Sequence, residues 1–508
     1  MEIIHFEKSN LDESSASFKT NILLNQNRID YLKELASKNK LYLKKELRPL
    51  AWKIYLETLT SDNQDSLKVW IDTIFNQRKQ YKKKLEKYCS LKKLGLNDPL
   101  INDENNEKNN LLYNEEEQST LNLINLDLMR THQSLDIFQE NKTKNILSNV
   151  LFIYAKEHGG DILYGQGMNE LVAMIYICLY PHYFSVKNNN SNEKITNEMM
   201  YEYIKDVNKY YKKIYLYFHD EDEIQSDLYY LFEALETKGM NDLYERIDIK
   251  KSDPKYNLYE LFPDIIKDQF DEDRSNHLNL RAYMIYKEKL KLIDKKLYHH
   301  LKRINVKCNY FMHRWLKCIF TREFELDEVL SLWDKIFFYE LNSGKKYKYS
   351  FVYIDFICIA MLVNIRYILL KKDDDADCYT IIFHYPKEGN ISNIMEISEK
   401  IAEIIEKKLK RERYDINEVL NLIKRDENYN ENEEDNNSDT NDELIIKPHM
   451  YNQRNKSKII SCDQYNEKIF FCGKYYIKTK ILLIILLFLI IFILLIWAYN
   501  KFNLHSQK

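Results

Sequence analysis

The chain has 508 residues, 45% of them hydrophobic, and carries 75 Lys and Arg against 78 Asp and Glu, a net charge of −3. That length suits roughly two to four structural units with a sizeable core, and the near-neutral balance removes the electrostatic basis for non-specific nucleic-acid binding. Nine Gly and seven Pro beside 40 Tyr supply too little turn punctuation for a sandwich, a barrel or a dinucleotide-binding domain, so an all-α class is expected.

Residues 1–40 read as a polar lead-in that closes on a helix around Ile29–Lys38. From 41 onward apolar residues recur at helical spacing, as in Ile146-Leu147, Val150-Leu151 and Tyr154, and again from Leu171 to Leu179. The Asn-rich stretch 186–200 reads as a loop or insertion. Residues 200–300 are charged and helical, broken near Pro254 and Pro263. The absence of Pro from 264 to 385 suits several helices in succession before Pro386. An amphipathic helix follows from Ile394 to about Leu422, with Ile397, Ile401, Ile404, Ile405 and Leu409 on one face.

Composition then changes. Between Asp426 and Glu443, 15 of 18 residues are Asp, Glu or Asn, too polar to offset the entropy of ordering, so 426–480 reads as a disordered linker and pre-membrane segment. Ile481 to Tyr499 is nineteen residues without a charge, which as a helix spans about 28 Å, close to a bilayer core. Trp497 and Tyr499 would sit at the interface, and Lys474, Lys478 and Lys480 flank the preceding side. With a short tail at 500–508, this predicts a single-pass tail anchor holding a cytosolic body. The hydrophobicity and weakly basic tail favour endoplasmic reticulum or endosomal and Golgi membranes. The boundaries expected are therefore 1–40, 41–390, 391–425, 426–480, 481–499 and 500–508.

Glu2 and Glu7 interrupt the N-terminal residues, so no secretory signal is expected there. The eight cysteines lie far apart with no CxxC pair, which points to reduced thiols rather than a disulfide framework or metal site. No GxxxxGK[ST] loop occurs, so phosphate chemistry would have to come from another molecule.

Four of the nine glycines, Gly159, Gly160, Gly165 and Gly167, fall within nine residues. Such clustering marks backbone with special dihedrals or a close approach by a partner, although a plain inter-helical turn would look the same. Gln166 lies between two of these glycines, just ahead of an apolar helix. Upstream, Asp127 and Arg130 are three apart and would share a helical face. They make either an exposed salt bridge or a carboxylate that orients a guanidinium toward an anion.

The ordered motifs Arg48-Pro-Leu-Ala-Trp52, Ile124/Asp127/Arg130 and Tyr164/Gln166, with Arg314-Trp315, Phe320-Thr-Arg322-Glu323-Phe324 and Leu332-Trp333-Asp334, resemble the TBC domain. This is the two-subdomain helical GTPase-activating domain for Rab GTPases. The resemblance extends from about 45 to 386, and the segments 186–200 and 240–290, without a clear counterpart in the family, would be insertions. Phe138-Gln139, Leu151 to Ala155, Gln166 to Leu171 and His384-Tyr385-Pro386 are most similar to the retromer-associated endosomal subclass, whereas His132-Gln133 stands where the family usually has Phe-Pro.

The resemblance implies an enzyme activator without an independent catalytic centre, which completes the active site of a GTP-loaded Rab. Arg130 would neutralise charge on the transferring phosphoryl group, and Gln166 would orient the attacking water. Asp127 would hold Arg130, Tyr164 would position the Gln loop, and Gly165 and Gly167 would allow close approach to the nucleotide. Arg48 and Trp52 would be scaffold, with some contact to the Rab. No cofactor or metal of its own is implied, because GTP and Mg²⁺ belong to the partner. The implied partners are the Rab, the membrane and a coat or retromer-type complex, with no nucleic acid. The other reading is a non-catalytic scaffold that binds a Rab or coat complex on an organelle membrane.

Overall fold

Polar side chains that satisfy free backbone N–H groups set several of the helix starts along this chain. Asn10, Asn114, Thr196, Asp294 and Asp374 each accept such a bond, and Asn114 forms a reciprocal capping box with Glu117. The computed structural model describes residues 4–5, 7–62, 66–89, 113–158, 164–184, 196–244, 277–343, 349–386 and 391–422.

The principal helices of the first half are α1 Leu11–Phe18, α2 Arg28–Ser37, α3 Arg48–Tyr55, α4 Ser66–Cys89, α5 Glu115–Leu128, α6 Asn141–His158 and α7 Met168–Leu179, followed by α8 Asn197–Lys205, α9 Val207–Phe218 and α10 Ile224–Leu235. The second half contributes α11 His277–Met284, α12 Lys295–Arg303, α13 Asn309–Cys318, α14 Leu326–Ser343, α15 Tyr353–Asn364, α16 Asp375–Phe383 and α17 Ile391–Leu409. Among the described residues, β structure is limited to two isolated bridges, Ile4 with Leu135 and Phe184 with Asp220, in agreement with an all-α class.

Two helices, α7 and α15, are buried almost all round and have sequences that are apolar at nearly every position. Every residue of α7 is buried, and it packs against α3, α5, α6, α10 and α13. In α15, Tyr353 through Val363 are buried, and its neighbours include α13, α14 and α17. The described residues form one compact unit, with these two helices as the centres of its two halves.

Residues read as a polar lead-in are in part structural. Phe18, wholly buried, meets the rings of Tyr215 at 5.3 Å and Phe218 at 5.6 Å. The Ser-rich sequence of α1 conceals this because Ser14 and Ser15 are small enough to be buried beside it. The amphipathic helix near residue 400 is shorter than its periodicity suggests. Ile394, Ile397, Ile401, Ile404 and Ile405 are buried, but α17 stops at Leu409, and Arg411 adopts a left-handed φ of 58°.

The six cysteines of the described residues are buried and form no disulfide with one another. Among those residues no helix is long and apolar enough to cross a membrane, and no group of three or more His, Cys, Asp or Glu is arranged to hold a metal ion. Gly159 and Gly160, Pro254 and Pro263, most of both insertions, the acidic linker, the apolar segment 481–499 and the tail 500–508 lie outside the described residues.

Candidate functional site

The α5 helix closes at Leu128, and Met129 caps it, so Arg130 stands in the turn beyond the helix, with its N–H on the Asp127 carbonyl at 3.0 Å. The expected Asp127–Arg130 ion pair does not form. Helical spacing predicts a shared face only while the helix continues, and here it has ended. Asp127, buried, instead accepts a hydrogen bond from the Tyr164 hydroxyl at 3.0 Å. Burial and the neighbouring Asp127 carboxylate push the Tyr164 pKa well above its ordinary value, so the phenol remains a donor.

Gln166 is presented by the turn that opens α7. Gly167, the residue before the helix, has φ +112°, a left-handed conformation that explains the glycine. Gly165 is not in that region. Both glycines are buried while Gln166 between them is exposed, so Gly165 and Gly167 shape the turn from beneath and do not offer backbone at the surface. The turn is held by the Met168 N–H on the Gly165 carbonyl at 3.1 Å and by the Gly167 N–H on the Asn169 side-chain oxygen at 3.2 Å.

These two segments, about forty residues apart in sequence, are tied together by short polar side chains. Asn169 donates from Nδ2 to Thr131 Oγ1 at 2.9 Å, and Thr131 donates to the Asp127 carbonyl at 2.9 Å. With the Tyr164–Asp127 bond, this places the Arg130 turn directly against the Gln166 turn. Asp127, Thr131, Tyr164 and Asn169 are all buried, where an unmade bond would cost roughly 1–3 kcal/mol, so the network specifies one mutual arrangement. Arg130 and Gln166 point the other way: both are exposed, and neither side chain has a hydrogen-bond or ion-pair partner among the described residues.

Beside Arg130, the exposed side of α5 carries Leu123 at 46%, Leu126 at 47% and Met129 at 55% exposure. Their spacing of three puts them in a row, an apolar ridge that ends at the arginine. A depression of about 500 Å³, lined by Glu57, His158, Glu233 and Lys238 among others, holds neither Arg130 nor Gln166. The arrangement is that of projecting side chains on a face, not of groups converging in a cavity.

Arg48 and Trp52 have no such exposure. Arg48 is 3% exposed and makes a bidentate pair with Asp334 at 2.9 and 2.9 Å through Nε and Nη2. The indole of Trp52 donates to the same carboxylate at 2.7 Å and stacks on Trp333 at 5.7 Å. These two residues clamp α3 to α14, and burial removes them from contact with any partner's surface. Their four-residue spacing on α3 is what lets both reach one carboxylate.

Sequence reasoning gave no role to Asn169, Thr131 or Glu170. The signal for Asn169 and Glu170 was present, since two polar residues head an otherwise apolar, fully buried helix, and buried polar groups require partners.

A family model for the Rab-GTPase-TBC domain matches residues 45–273 and 258–370, and the chain belongs to that family. Among its relatives is "TBC1 domain family member 5" of Homo sapiens, 27% identical over 359 residues, which covers 68% of this chain and 40% of that protein. "TBC1 domain family member 5 homolog B" of Dictyostelium discoideum is 24% identical over 443 residues and covers 70% of this chain and 40% of that one. The chain thus spans about two-fifths of the length of these relatives. The crystal structure of the Ypt/Rab-GAP domain of Gyp1p aligns with a TM-score of 0.50 at 18% identity, over 79% of this chain and all of that one, a likeness of fold.

Proposed function

We propose that this protein is a GTPase-activating protein for a Rab-type GTPase, and that Arg130 and Gln166 are the side chains it inserts beside the bound GTP. Membership of the Rab-GTPase-TBC family supports the general activity. The observation that carries the assignment to these residues is their pairing: two exposed, unpartnered side chains on turns that buried hydrogen bonds hold against each other.

In this reading the partner supplies GTP, Mg²⁺ and most of the phosphate contacts. Arg130 brings a planar, permanently charged guanidinium to the oxygens on which charge develops as the γ-phosphoryl group transfers. Gln166, with both a donor and an acceptor on its amide, aligns the attacking water. The Tyr164–Asp127 and Asn169–Thr131 bonds fix the distance between the two groups before the partner arrives, so little ordering is left to occur in the transition state. The ridge of Leu123, Leu126 and Met129 flanks the site and is where the body of the GTPase would rest.

The apolar segment 481–499 and the acidic stretch before it, read from sequence alone, would tether this domain to a membrane. About 55 intervening residues give a root-mean-square reach of about 40 Å if flexible, which would raise the effective concentration toward a lipid-anchored GTPase.

The test is single-turnover GTP hydrolysis by a panel of Rab GTPases with the full chain in lipid vesicles. At least one GTPase is expected to be accelerated, with Arg130→Ala losing about 10³-fold or more of that acceleration and Gln166→Ala also reducing it. Binding to a GTPase without acceleration anywhere in the panel would instead establish the scaffold reading.

A further inference from the structure

Glu170 lies four residues after Gln166, in the first turn of α7, and is 3% exposed. One of its carboxylate oxygens accepts from Arg322 Nη2 at 2.8 Å and Nε at 3.1 Å. The other lies 3.6 Å from the buried Nε2 of His132, a packing contact without a hydrogen bond, and His132 is two residues after Arg130. This single carboxylate therefore meets the Arg130 turn, the Gln166 turn and a third turn from the second half of the chain.

The third turn is unusual in its own right. Ile319 and Phe320 have φ of 43° and 64°, consecutive left-handed residues without glycine, one of them β-branched, a conformation that persists only when its surroundings enforce it. The enforcing contacts are visible: the Trp333 indole donates to the Ile319 carbonyl at 2.9 Å, and Glu323 takes Arg314 at 2.6 Å. Bent in this way, the turn sends Arg322 toward Glu170. Burial works against the charge on Arg322, yet the Glu170 carboxylate leaves its guanidinium pKa raised. His132 also has a left-handed φ, 41°, and its ring packs against Phe138 with centroids 5.5 Å apart.

We propose that Glu170 is a positioning residue, held by Arg322, that locks the Arg130 and Gln166 turns in register so that both side chains reach one GTPase site together. This rests on the activating reading above and extends it to residues that would not touch the nucleotide. Neither Glu170 nor Arg322 needs to contact the partner. Their effect would pass through backbone placement, in which about 1 Å of displacement is sufficient to cost on the order of 10²-fold in rate.

The test uses the full chain with Glu170→Gln and Arg322→Gln, singly and together, and has two independent readouts. Amide hydrogen exchange at Arg130–Gln133 and Gly165–Met168 is expected to speed up about tenfold in each variant relative to the wild type, with the far helix α17 unchanged. With a responsive GTPase, kcat is expected to fall roughly 10- to 100-fold at unchanged KM. The double variant should be no worse than either single one, and Arg322→Lys should recover part of the loss. If Glu170→Gln does not fold, Arg322→Gln, whose side chain is 52% exposed, carries the test. Unchanged exchange in both segments overturns the proposal whatever the GTPase assay gives, and so does a rise in KM alone. Faster exchange in a protein whose wild type accelerates no GTPase supports the lock and refutes the activating reading instead.

Discussion

At the scale of single residues, the site is determined by which polar groups have partners. Asp127, Tyr164, Thr131 and Asn169 satisfy one another in the interior, and Arg130 and Gln166 are left exposed. A buried group without a partner shows the opposite situation. Glu236 is fully buried with neither carboxylate oxygen hydrogen-bonded, and burial raises its pKa to about 8. Its proton is held more tightly in the folded than in the unfolded chain. The stability it contributes is complete below the unfolded pKa of about 4.5 and is lost as pH rises through about 8. The slope is at most about 1.4 kcal/mol per pH unit between those values. Urea unfolding at pH 5 and pH 8.5 should show the wild type losing more stability than Glu236→Gln, which cannot ionise. Equal losses would place this carboxyl in water.

At the scale of elements, where a helix ends matters as much as where it runs. Because α5 stops at Leu128, Arg130 is freed from helical geometry and Asp127 turns to Tyr164. Spacing in the sequence places Asp127 and Arg130 on one face, and this expectation fails because Arg130 falls one residue past the last helical hydrogen bond, from the Met129 N–H to the Asn125 carbonyl. The start of α7 was more legible. Glycines on either side of Gln166 marked a special backbone, and Gly167 does occupy the left-handed region. The exposed side of α5 supplies a further expectation. Replacing Leu126 and Met129 together by Glu should raise KM for a responsive GTPase about tenfold or more, since desolvating a charge at an apolar contact costs at least a few kcal/mol. The melting temperature should stay near wild type because both positions are exposed. An unchanged KM would move the docking surface elsewhere.

At the scale of the whole molecule, buried ion pairs connect distant parts of the chain. Arg48 and Asp334 are 286 positions apart and join α3 to α14. Asp334→Ala leaves the Arg48 charge and the Trp52 indole buried without their acceptor, which should destabilise the domain by about 3–5 kcal/mol, measured by chemical denaturation. A change under 1 kcal/mol would mean that water reaches the pair. A second expectation at this scale concerns the apolar segment. Deleting 481–499 should leave hydrolysis by a soluble GTPase unchanged and slow it for a GTPase anchored on vesicles, since tethering changes concentration and not contacts. Equal rates on vesicles would remove the tether from the account.

The sequence by itself determined the all-helical class, through scarce Gly and Pro and a 3.6-residue apolar period, and it pointed to Arg130 and Gln166 through motif order. These are local properties of the chain, set by backbone dihedrals and by which faces are apolar. Tertiary structure alone decided what holds those two residues. Asp127 could serve Arg130 or Tyr164, Arg48 and Trp52 could face a partner or a buried carboxylate, and Glu170 could be solvated or locked to Arg322. Each choice depends on groups that are remote in sequence and meet only after packing excludes water, when a polar atom's nearest available partner becomes its required one.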